Sequence, residues 1–509
     1  MTSQLAREPQ RSEGGYILIT AMALVTILLG VGLAFMRWST DEAMQSRQTS
    51  GAMQAYYLGQ MGVVERGFIW LKSQLATALP ESEISLAGRT VPGVGLYRNV
   101  EISRLSSFNG DFGARNTVFR ITAVGVVKAP WNDGQGTKDI ERKAVLYVSI
   151  RNFVDYMYLS DKELTSFGDV IKFWHEDTLN GRVHSNDQIA IMENPVFYDQ
   201  VTQASDDNDF WLGAGYNPQF LGPDPIFHAA PVLIPPIAER LRDNAQFYFN
   251  PGEGLQMRAI LHESTADMYT WEEGEAFDPL SVDPPVPVPI DQGPLGTCIF
   301  TETALELEGR DVSGKLTIGS AKLVRLVNDV RIAGPSSGQP EFRIDSSNTN
   351  FIGIVSEGDI KIANTPANGR NNSDNLGFSQ NNPEKTDIVI TAAVVALGNP
   401  ETESEGSFTF ENQNDDDSTF DGPTPDYRGT IYLFGSLTQS RRGYVHRSNN
   451  NSTGYGKQYR YDKRFLRIRP PCFFDAVDSS GHALFNVVQW GQGQERAWTT
   501  PGYTLTRYN

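Results

Sequence analysis

Residues 16–36 read YILITAMALVTILLGVGLAFM, 21 consecutive positions without a charged side chain. As an α-helix rising ~1.5 Å per residue the run is ~30 Å long, the thickness of a bilayer's hydrocarbon layer, so it is expected to cross a membrane once. Arg37 and Trp38 follow with no small-residue cleavage site, which favours a retained anchor over a removed signal peptide. Arg7 and Arg11 on one flank face Arg37 and Arg47 on the other, so basic side chains alone do not orient the segment. The free amino terminus adds charge to the short flank, and a long soluble region is translocated largely regardless of its charge. The N-terminus is therefore expected in the cytoplasm, with the bulk of the chain on the far side of the membrane.

No proline interrupts residues 37–79, which are rich in Ala, Met, Gln, Leu and Glu, so the helix is expected to run over 16–79 and stop at Pro80. Within it Gly51, Ala55 and Gly59 recur at every fourth position and Gly62 follows. A glycine costs ~1 kcal/mol against alanine inside a helix, so small residues there demand a compensating close approach. Either a neighbouring helix or the chain's own globular part would supply it.

The junction Glu13-Gly14-Gly15-Tyr16-Ile17-Leu18-Ile19 resembles the leader junction of type IV prepilins and type II secretion pseudopilins, where a short polar leader ends in glycine before an apolar helix. Residues 52–71, AMQAYYLGQMGVVERGFIWL, are similar to the helix that precedes the head of PilX-type minor pilins. The resemblance implies a leader over 1–15, cut between Gly15 and Tyr16 by a prepilin peptidase. It also implies an inner-membrane location, other pilin or pseudopilin subunits as partners, and a head of antiparallel strands. In major pilins the fifth mature residue is a glutamate that pairs with a neighbour's terminal amine; here it is Thr20, which implies a minor or tip subunit.

After Pro80, residues 99–104, 116–127 and 141–150 alternate polar and apolar side chains. Val118, Arg120, Thr122 and Val124 share one face, and Phe119, Ile121, Ala123 and Gly125 the other, so a small antiparallel sheet is expected over 80–155. Residues 156–299 are less regular. They end in the proline-rich stretch 283–294, DPPVPVPIDQGP, read as an extended connector or edge segment and as the preferred domain boundary. Over 300–475, short β runs are punctuated by turns about every eight to twelve residues, which suits a solenoid of stacked coils or, alternatively, a sandwich. Residues 181–191 and 353–362 share one pattern of strand, polar turn and strand. The stretches 181–187, 353–360, 429–445 and 459–471 resemble bacterial pilin-anchored β proteins, which implies a surface apparatus without a defined activity. With a C-terminal segment over 476–509, the chain reads as α+β: a long transmembrane helix, a small pilin-like sheet and a mainly-β domain.

Residues 80–509 carry 37 basic against 56 acidic side chains, within a net charge of −18, so no nucleic-acid partner is expected. Cys298 and Cys472 belong to no CxxC or Cys/His array; they admit a disulfide outside the cytosol or two separately buried thiols. The six histidines lack metal-ligand spacing. His184 beside Ser185 and Asn186 suggests a base and a nucleophile, but neighbours on a strand point to opposite faces, so a strand-turn role is expected instead. Asn414, Asp415, Asp416, Asp417, Asp421 and Asp426 offer oxygens to calcium without the EF-hand alternation, and read as a solvated loop. Residues 441–444 and 455–469 interleave Tyr with Lys and Arg. They serve either cation–π contact with a glycan or partner, or neutralisation of the chain's own carboxylates.

No catalytic, metal or cofactor set emerges, so the chain is expected to be a structural subunit and not an enzyme. A tethered domain that binds a surface glycan or protein, or cleaves glycans with two carboxylates, is the alternative.

Overall fold

The computed structural model describes residues 14–105, 117–131, 136–165, 168–175, 177–291, 296–334, 344, 347–369, 385–398, 405–413, 427–447, 453–466, 468–492, 495–500 and 503–508. The acidic stretch 414–426 and residues 1–13 of the expected leader lie outside them. Helix α1 (Gly14–Met61) continues through a π turn (Gly62–Phe68) and a last α turn (Ile69–Lys72). Over the 55 residues Leu18–Lys72, ~80 Å at helical rise, it is long and apolar enough to cross a membrane.

The helix stops at Lys72 rather than at residue 79. Ser73 Oγ and Gln74 Nε2 both donate to the Trp70 carbonyl, at 2.7 and 3.1 Å, taking an acceptor that another helical turn would have used. Leu75 is then extended, and Ala76 donates its N–H to the Gly481 carbonyl at 2.9 Å.

Strands β1 (Ile84–Leu86), β2 (Arg89–Val91), β3 (Gly95–Arg104), β4 (Val118–Trp131) and β5 (Gly136–Ile150) form an antiparallel sheet in the order β1-β3-β4-β5, with β2 also beside β3. Its far edge is supplied from the other end of the chain: Phe485–Gln492 pairs with β5, Phe485 opposite Ile150. Alternation decides the faces. Phe119, Ile121 and Ala123 share a core with Ala144, Leu146 and Val148 and with Val63 and Leu71 of the helical segment, whereas Val118 packs with Val145 and Tyr147.

The mainly-β body begins with β6 (Tyr158–Lys162), β7 (Thr178–Asn180) and β8 (Val183–Ser185), and the chain alternates between two parallel ladders. In space the first ladder runs Phe247–Phe249, Thr297–Thr301, Lys315–Ser320, Phe351–Ser356, Ala393–Ala396, Tyr427–Arg441, β6, β8, Val201–Gln203. Spatial and chain order therefore differ. The chain enters mid-stack at β6, proceeds through β8 to Val201–Gln203, crosses to the far end at Phe247–Phe249, and winds back until Tyr427–Arg441 pairs with β6 and Thr453–Tyr461 with β7. We call that closure the seam.

Two register columns explain why these residues coil. Ile299, Ile318, Ile354, Val394, Leu437, Tyr158, Val183 and Val201 stand in line and are all buried. Two positions on, the column is polar: Thr301, Ser320, Ser356, Gln439, Ser160, Ser185 and Gln203, interrupted by Ala396. The hydroxyls of Thr301, Ser320, Ser356 and Ser185 accept from the backbone N–H two residues ahead, at 3.0–3.3 Å, and so bend the chain from one ladder to the other.

The proline-rich stretch does not interrupt the stack. Val286–Pro289 pairs antiparallel with Thr265–Glu272, and the first ladder passes from Phe247–Phe249 to Thr297–Thr301 across it. Val286–Pro289 is thus an edge segment, where proline's missing N–H is tolerated, and the stack continues past it.

Candidate functional site

The two halves of α1 face different surroundings. Apolar side chains from Leu18 to Met36 are 57–69% exposed, whereas Ala55 is 0% exposed and Gly51, Gly59 and Gly62 are buried. A Cβ on Gly59 would lie 3.1 Å from Ala144 Cβ, and one on Gly62 would lie 2.8 Å from the Tyr97 ring and 2.9 Å from Ala123 Cβ. From the sheet side, a Cβ on Gly125 would stand 1.8 Å from the Ala55 carbonyl oxygen. Of the two partners open to the small-residue stripe, the structure has the chain's own sheet. Gly67 in the π turn repeats the device, its added Cβ falling 2.3 Å from Ile121 Cγ2. Gly15 and Tyr16 lie in the first turns of α1, ahead of the exposed half.

Cys298 and Cys472 are joined in a disulfide that closes a loop of 174 residues, with Cα atoms 6.5 Å apart. Such a loop is worth up to about 5 kcal/mol in the chain-entropy model and about 2–4 kcal/mol in typical measurements. It ties Thr297–Thr301 to the segment that returns to the first sheet, where Phe153 and Phe474 rings stack at 5.2 Å.

The basic and aromatic run turns largely inward. Arg442 pairs with buried Glu163 at 2.8 Å, Lys457 with Asp177 at 2.5 Å, Arg464 with Asp462 at 2.6 Å, and Arg469 with Asp475. Burial alone would raise Asp475, but Arg469 and Arg240 outweigh it and hold the carboxyl below the usual aspartate range. At the seam Glu163 also accepts from Tyr158 (3.1 Å) and Ser160, and Gln439 donates to the Tyr158 hydroxyl at 3.0 Å. Arg441 reaches the Leu164 and Thr165 carbonyls at 3.1 Å. Neutralisation of the chain's own carboxylates accounts for Arg442, Lys457, Arg464 and Arg469, whereas Arg441 is held by backbone carbonyls.

His184 makes no catalytic pair with Ser185. Its Nδ1 meets Thr202 Oγ1 at 2.7 Å and its Nε2 meets Asn186 Oδ1 at 3.1 Å, and burial pushes the imidazole down to about 4. Among the described residues no group of His, Cys, Asp and Glu side chains is arranged to hold a metal. Glu306, Glu308 and Glu411 are engaged by Arg258 and Arg325.

Sequence reasoning missed Tyr158, Glu163 and Gln439, whose shared role depends on β6 lying beside a strand from far along the chain; only the Ser/Thr turn column left a readable signal. No family model, curated protein or solved structure matches the chain, so function is argued from its own residues.

Proposed function

We propose that the chain is a membrane-anchored structural subunit of the minor pilin or pseudopilin type, whose mainly-β body is a β-solenoid carried outside the cytoplasm. One observation carries the reading: a single helix divided into an exposed apolar half and a half clamped on an antiparallel sheet. The exposed half presents Leu, Ile, Val and Met on every side, as suits burial among lipid tails or neighbouring apolar helices. The clamp holds the helix to the first sheet, as a subunit that transmits position along a filament requires. Thr20 in place of a glutamate supports a minor or tip position, and the disulfide supports an oxidising compartment.

In this reading a prepilin peptidase cuts between Gly15 and Tyr16, the amino end faces the cytoplasm before assembly, and other pilin or pseudopilin subunits pack on Leu18 to Met36. The body's role is mechanical and displaying, without catalysis. Mass spectrometry of the native protein extracted from membranes tests this. A mature chain beginning at Tyr16, with or without an N-methyl group, is the expected result. A chain that keeps residues 1–15 would overturn the pilin reading and leave a simple anchor.

A further inference from the structure

One end of the stack is a coil that runs through Val201–Gln203, Trp211–Leu212 and Gln219–Phe220. On the first ladder the chain covers its own end: Ile226 donates its N–H to the Val201 carbonyl and accepts from Gln203, both at 2.9 Å. The other two strands are left open. Trp211 and Gly213 donate inward to the Ile189 and Ile191 carbonyls, and Gln219 and Leu221 to those of Pro195 and Phe197. The residues between, Leu212 and Phe220, therefore turn their backbone groups away from the stack. Among the described residues no strand pairs with that outer edge.

The apolar packing is cut through at the same level. Ile191 is fully buried, but Leu212, its partner in register, is 59% exposed; Leu221 is 58% exposed and Ile226 49%. Trp211 takes no part, because Lys172 already lies 5.0 Å from its ring. A terminal coil ordinarily carries a polar outer face, and an open apolar strand edge is a template for another strand. Residues 194–238 contain Asp199, Asp206, Asp207, Asp209 and Asp224 but no lysine or arginine. None of these aspartates is in an ion pair among the described residues.

Charge decides the occupant. A second copy stacked end to end would meet either this same surface or the opposite end, where residues 239–289 hold ten acidic against three basic side chains. Both arrangements set like charge on like charge. We propose that the open end of the stack docks an extended segment of a different protein, in which lysine or arginine alternates with valine, isoleucine or leucine. Following the coil beneath it, the segment pairs at Leu212 and, eight residues on, at Phe220. Its apolar side chains cover Leu212, Leu221 and Ile226, and its cations meet the aspartates. The surface is independent of whether α1 enters a filament.

The test is fluorescence anisotropy with the full-length protein in neutral detergent and a labelled 12-residue peptide of alternating lysine and valine. Two control peptides replace valine by serine or lysine by glutamate. The lysine–valine peptide is expected to bind at least ten-fold more tightly than either control and to weaken as salt rises. It should also slow amide exchange at Leu212 and Phe220 while Phe247–Phe249 exchanges as before. Leu212→Ser with Leu221→Ser is expected to weaken binding at least ten-fold at an unchanged melting temperature. Asp206→Asn with Asp207→Asn and Asp209→Asn is expected to flatten the salt dependence. Equal binding of the lysine–serine peptide would reduce the surface to general charge attraction and overturn the proposal, as would no binding, or undiminished binding by both variants. A dimer of the free chain that Leu212→Ser with Leu221→Ser abolishes would give the end to a second copy and overturn it too.

Discussion

Where α1 lies on the first sheet, contact is made by Ala55, Gly59, Gly62 and Gly67 against Tyr97, Ile121, Ala123, Gly125 and Ala144. Where the stack closes on itself, contact is made by Arg442 with Glu163 and Lys457 with Asp177, between stretches that Arg442 and Glu163 place 279 residues apart. The first junction is specified by shape. A helix that slid along it would drive backbone into side chains, because only the glycine notches admit the close approach. The second cannot rely on shape alone. Each coil presents almost the same aliphatic column, so apolar packing would accept the returning strand against several neighbours. A buried ion pair that exists at one level only makes a slipped closure expensive, and that is its physical use here.

Breaking the seam pair should therefore give the largest effect. Arg442→Met leaves Glu163 buried without its cation, and is expected to cost about 3–5 kcal/mol in chemical unfolding of the detergent-solubilised chain. Adding Glu163→Gln should recover most of that loss, because an uncompensated charge is worse than none. If single and double variants lose the same amount, the pair contributes packing and not register.

A smaller effect, at the other junction, sharpens the contrast. Gly125→Ala puts a methyl group against the Ala55 carbonyl, and is expected to cost about 1–3 kcal/mol by overpacking. Hydrogen exchange should localise it: faster exchange in residues 51–72 and in β4, with residues 297–461 as in the parent. Uniform acceleration through both regions would mean the clamp and the stack open together.

How much of this was legible follows from chain distance. The membrane-length run was readable because 21 uncharged positions need no tertiary information, and the faces of β4 were readable because alternation is local. The helix end was misread because Lys72 is a stop set partly by Gly481, which the sequence does not bring near. The coils were suggested by two matching turns, but the column Thr301, Ser320, Ser356 has spacings of 19 and 36 residues, which hides the repeat. Nothing in the sequence pairs Leu437 with Tyr158, since the crossing from Val201–Gln203 to Phe247–Phe249 sets that register.

A pH titration separates the two junctions most finely. His184 is opposite Leu159 of β6, one strand from the seam; its surroundings are Thr202, Asn186, which donates to Asp161 at 2.9 Å, the Tyr156 ring at 5.5 Å, and the charge of Arg151. Burial chiefly, with Arg151 adding, lowers its pKa from 6.5 to about 4, so the unfolded chain binds the proton more readily than the folded one. Stability from the neutral imidazole is thus complete above about pH 6.5 and declines as pH falls toward 4, by about 1.5 kcal/mol between pH 6.5 and 5. The charged pairs beside the helix clamp, Arg98 with Glu141 and Glu65 with Arg89, are exposed and offer no comparable buried base. Acidification to pH 5 should consequently loosen exchange around Val183–Ser185 and Val201–Gln203 before residues 51–72, and His184→Gln should remove that part of the pH slope. If parent and variant lose stability in parallel, the slope does not arise at this imidazole, and the stack's answer to acid lies outside the contacts of β8 with its neighbours.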